Sequence, residues 1–112
     1  IVSVDDIGKM AYHVVDKKLY GKVGVAGDHL SCNEIASILS ETINEPVIYA
    51  RVPADMYRGF GFPGCKDLGN MFEFKDVHNK EFCELRNMDS VKSRIVPIDF
   101  KTWCLEHKDS LV

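Results

Sequence analysis

The 112 residues carry a formal charge of −3, with 46% apolar and 28% charged side chains, the composition of a globular chain rather than a disordered or fibrous one. That charge argues against a nucleic-acid grip, which needs clustered Lys and Arg; the one basic pair, Lys17-Lys18, sits where a helix end favours cations. No run reaches the roughly 18 apolar residues of a membrane span, and Cys32, Cys65, Cys83 and Cys104 show neither a Cys-x-x-Cys nor a histidine pair for zinc. A reduced, cytoplasmic protein is the simplest expectation, with the nucleus also open.

The chain begins Ile1-Val2-Ser3-Val4, a β-branched run with no Met, and such a strand needs neighbours. Its start therefore reads as a cut into a longer polypeptide. Asp5 or Asp6 then caps a helix whose apolar stripe is Ile7, Met10, Ala11, Val14 and Val15. After Gly21, Lys22–Ala26 reads as a short strand. Leu30-Ser31-x-x-Glu34-Ile35 is the strongest local signal: Ser31 and Glu34 form a capping box, and Leu30 and Ile35 occupy the staple positions. The helix they open continues through Ile43. Pro46 introduces Val47–Val52, an alternating pattern that predicts a second strand.

The second half reads as helical. Pro53 suits the first position of a short helix through Met56 and Tyr57, ended by Gly59 or Gly61. Phe62-Pro63-Gly64 makes a turn, and Cys65, Leu68, Met71, Phe72 and Lys75 then repeat at helical spacing. The pattern from Val77 to Leu85 is weak and reads as loop. Met88–Arg94 gives a turn or two of helix, and Ile98-Asp99 caps a last one carrying Trp103 and Leu105. Two or three short strands cannot form a covered sheet by themselves, so residues 1–112 are expected to complete a larger α/β body.

Chemistry is thin. Gly21-Lys22-Val23-Gly24-Val25-Ala26-Gly27 has the spacing of a dinucleotide fingerprint, but a phosphate loop needs a strand before its first glycine and a helix opening at its last. Here a helix end precedes Gly21, and Asp28 would set negative charge against the phosphates. No tyrosine is followed four residues later by lysine, so the acid–base pair of short-chain dehydrogenases is missing from this stretch, and catalysis here is not expected. No histidine pair is spaced for a helical metal site. Cys65 falls in the first turn of a helix, where a thiol can be activated, but its apolar stripe favours a small buried hydrophobe. The same weighing favours packing for Phe60, Phe62, Phe72 and Phe74. Asn70, polar beside Met71, tilts the segment towards a ligand or partner cleft made by Phe62, Asn70, Met71 and Phe72.

In these stretches the chain resembles a known family. Val2-Ser3-Val4-Asp5-Asp6-Ile7-Gly8 is similar to the segment before the late helix of extended and atypical short-chain dehydrogenases. Gly61-Phe62-Pro63-Gly64-x-x-Asp67-Leu68-Gly69-Asn70-Met71-Phe72-x-Phe74 is more distinctive and resembles the NmrA-like family, as does Trp103-x-Leu105-Glu106-His107-Lys108 near the end. The resemblance implies the C-terminal portion of an NAD(P)-binding Rossmann-type fold, with residues 1–112 as its C-terminal subdomain and the dinucleotide-binding part upstream. It also implies NADP(H) bound by the full-length protein, with no cofactor residue in this chain, and regulation through protein partners. Three functions stay open: the C-terminal region of an NADP(H) redox sensor without catalysis of its own, the substrate-binding region of an NAD(P)H-dependent oxidoreductase, and a small non-enzymatic adaptor. Exposed apolar faces on a partial body also make self-association an expectation.

Overall fold

The computed structural model describes residues 1–112, and every regular element in it is a helix. In chain order these are α1 (Val4–Asp16), α2 (Cys32–Ile43), α3 (Ala54–Arg58), α4 (Cys65–Val77), α5 (Asn79–Glu84), α6 (Met88–Lys92), α7 (Phe100–Glu106) and α8 (Lys108–Leu111). The α/β expectation, with two or three short strands, is overturned: helix makes up 58% of the chain and there is no sheet. The reason lies in pairing. A strand is defined by a ladder to a neighbour, and neither Lys22–Ala26 nor Val47–Val52 has one. The backbone at Val47 is engaged instead by a side chain, its amide donating to Ser40 Oγ at 2.7 Å and its carbonyl accepting from the same hydroxyl at 3.3 Å.

Residues Ile1–Tyr49 with Arg86–Val112 form one unit and Ala50–Leu85 a second. In the first, Ser3 rather than Asp5 or Asp6 caps α1, its Oγ accepting from the Asp6 amide. The capping box at α2 forms as its residues dictate: the Glu34 amide donates to Ser31 Oγ, and the Ser31 amide donates to Glu34 Oε2 at 2.7 Å. Those bonds hold the Glu34 carboxyl below its ordinary range. Asn44, in the left-handed conformation at φ 59°, stops the helix. Met10, Val91 and Ile95 make the buried core, with Val14, Val23 and Val25 against it. The alternation of Val23 and Val25 thus sends both to the core, as a strand's would, without a ladder. Asp99 caps α7 by accepting from the Thr102 amide at 2.8 Å, and Cys104 of α7 is fully buried, which pushes its thiol pKa up.

The second unit is α3, α4 and α5. Gly64 stands at the N-cap of α4, and its φ of 89° is open to glycine and strained for other residues. The stretch from Val77 to Leu85, weak in pattern, holds α5. Its support is local: His78 Nδ1 lies 3.0 Å from Glu81 Oε2 and Lys75 sits over the Phe82 ring. α8 likewise carried no apolar period that would have announced it.

Candidate functional site

The residues singled out at the α3–α4 turn are all in the second unit. Tyr57, on α3, is the centre of an aromatic group: its ring lies 5.2 Å from Phe60, 5.8 Å from Phe62 and 5.1 Å from Phe72, the last two edge-on. Such tilted geometries match the charge distribution of aromatic rings. The three phenylalanines are not core. Each stays between 40 and 51% exposed, and Leu68, Met56 and Met71 are exposed beside them in the same unit. Packing at helical spacing was the expectation for these rings; they instead make a half-open apolar surface whose inner edge is Tyr57.

Asn70 has a different setting from that surface. Its Oδ1 accepts from Arg58 Nε at 2.8 Å, and Arg58 also donates to Asp55 Oδ1 at 2.7 Å and to Glu73. The guanidinium so held by Glu73 and Asp55 is kept firmly protonated, its pKa raised. Arg58 therefore ties α3 to α4, and Asn70 takes part in that tie. Sequence reasoning passed over Arg58, although an Arg three residues after Asp55 is a helical ion-pair spacing. The two helices approach closely at Gly69, where a Cβ would stand 2.6 Å from Arg58 Cγ and 3.3 Å from the Ala54 carbonyl oxygen. Cys65 is buried and its thiol donates to the Arg58 carbonyl at 3.2 Å, the small buried role its stripe implied. The structure thus joins Phe62 and Phe72 through Tyr57, leaves Met71 exposed on α4, and gives Asn70 to the Arg58 network.

The glycine run of the first unit does not fit a dinucleotide. No helix opens at Gly27; the next begins at Cys32. The space a phosphate would need beside Gly27 is filled by backbone, since a Cβ there would lie 2.8 Å from the Ile98 carbonyl oxygen. The amides of Gly27 and Asp28 both donate to the Ile1 carbonyl, at 2.9 and 3.1 Å, and the Asp28 carboxylate accepts from the His29 and Phe100 amides. These are the donors and the space a pyrophosphate loop would have to keep free. The run is a structural junction between residues far apart in sequence.

A shallow cavity of about 300 Å³ opens beside this junction, lined chiefly by Ile1–Asp5, Ile98–Phe100 and Trp103. No group of three or more His, Cys, Asp or Glu side chains is placed to hold a metal ion. No helix is long and apolar enough to cross a membrane. Against known proteins, the family model described as the NmrA-like family matches residues 1–103, the span that contains the Gly61–Phe74 motif, the aromatic surface and the Gly27 junction. With nearly all of its 112 residues inside that match, this chain belongs to the NmrA-like family.

Proposed function

We propose that residues 1–112 are the C-terminal region of an NADP(H)-linked NmrA-like regulatory protein, without catalysis of their own, and that the Tyr57-centred aromatic surface engages a protein partner. Family membership suggests an NAD(P)-binding protein of regulatory or oxidoreductase-like character. The redox-sensing role and the placement of the cofactor upstream, outside residues 1–112, are the finer reading. One observation carries the partner site. Phe60, Phe62 and Phe72 are about half exposed yet each packs against Tyr57, while Arg58 ties α3 to α4 on either side of the turn that carries Phe60 and Phe62. A rigid, exposed aromatic group is what an interface anchor requires, because little side-chain entropy remains to be lost on binding. A Tyr-x-x-x-Lys sequence upstream of residues 1–112 would favour the oxidoreductase reading instead.

The test places a photo-crosslinking phenylalanine analogue at Phe62 of the full-length protein. A discrete protein adduct whose yield differs between NADPH and NADP⁺, and which is lost on Phe72→Ala, is the expected result. Equal labelling with either nucleotide would overturn the sensor role, and NADPH oxidation with substrate turnover would favour the oxidoreductase.

A further inference from the structure

We draw no further inference here: the strongest candidate, the shallow apolar cavity between the start of α1 and the approach to α7, lined chiefly by Ile1–Asp5, Ile98–Phe100 and Trp103, carries nothing because nothing in the structure shows what covers it.

Discussion

Asp6 shows how one side chain can fix the path of a chain. It is fully buried, yet each carboxylate oxygen is answered: Lys9 Nζ donates to Oδ1 and the Ile98 amide to Oδ2, both at 2.9 Å. Burial pushes its pKa up, but the bonds from Lys9, Ile98 and Ser3 outweigh it and hold the carboxyl below its ordinary 3.8. A carboxyl lowered on folding contributes stability above its unfolded pKa, and that contribution is lost as pH falls through the still lower folded value. Asp6→Asn should therefore destabilise the protein by about 1–3 kcal/mol at pH 7, the cost of disrupting a buried charge-assisted network. The gap from the unmodified protein should narrow below pH ~3.8, where the natural carboxyl begins to protonate as well. Urea titrations of both proteins at pH 7 and pH 3 measure this; an equal gap at both would show that the charge of Asp6 contributes nothing. The sequence could suggest Asp6 only as a capping residue, because its partner Ile98 is 92 positions away.

Among elements, helices were far more legible than strands, and the difference follows from where their hydrogen bonds close. A helix finds its partners within four residues, so Ser31-x-x-Glu34 announces α2 and Pro53 announces α3 from local sequence. A strand finds its partner elsewhere: Val47–Val52 alternates correctly, but alternation records which faces are apolar and not whether a neighbour exists. The candidate site was legible in the same partial way. Met71 and Phe72 were visible at helical spacing and Phe62 in the turn before them, whereas the tie between Arg58 and Asn70 depends on α3 and α4 lying together, which spacing does not encode. That tie yields a prediction at the level of the helix pair. Gly69→Ala would normally favour a helix by up to ~1 kcal/mol. Here the new methyl would press on Arg58 Cγ and the Ala54 carbonyl, and the latter is backbone that cannot swing aside. The substitution should instead destabilise the α3–α4 pair by about 1–3 kcal/mol, seen as faster amide exchange across Ala54–Arg58. Unchanged or slower exchange would mean that the two helices part readily.

For the whole molecule, the decisive question is what a family member can do with only these residues. The Gly21–Gly27 run has a dinucleotide spacing, and the family suggests NAD(P) binding, so a reader of the sequence alone could assign the cofactor here. The structure removes the means. Anion binding by a glycine loop depends on free amides converging at a helix N-terminus, but the Gly27 and Asp28 amides are spent on the Ile1 carbonyl. The Ile98 carbonyl oxygen also fills the near side of Gly27, and Asp28 brings a negative charge already committed to the His29 and Phe100 amides. Releasing those amides would break the junction that joins the start of α1 to the approach to α7, so phosphate binding and the fold compete for the same groups. Isothermal titration of the 112-residue chain with NADPH should accordingly show no saturable heat, and NADH should behave alike because nothing at the junction distinguishes a 2′-phosphate. Micromolar binding that depends on that phosphate would place the cofactor site inside this chain. Gly27→Ala would then locate it: a methyl that abolished the heat while the circular-dichroism signal held would assign the site to the glycine junction, and undiminished heat would place it elsewhere in the chain.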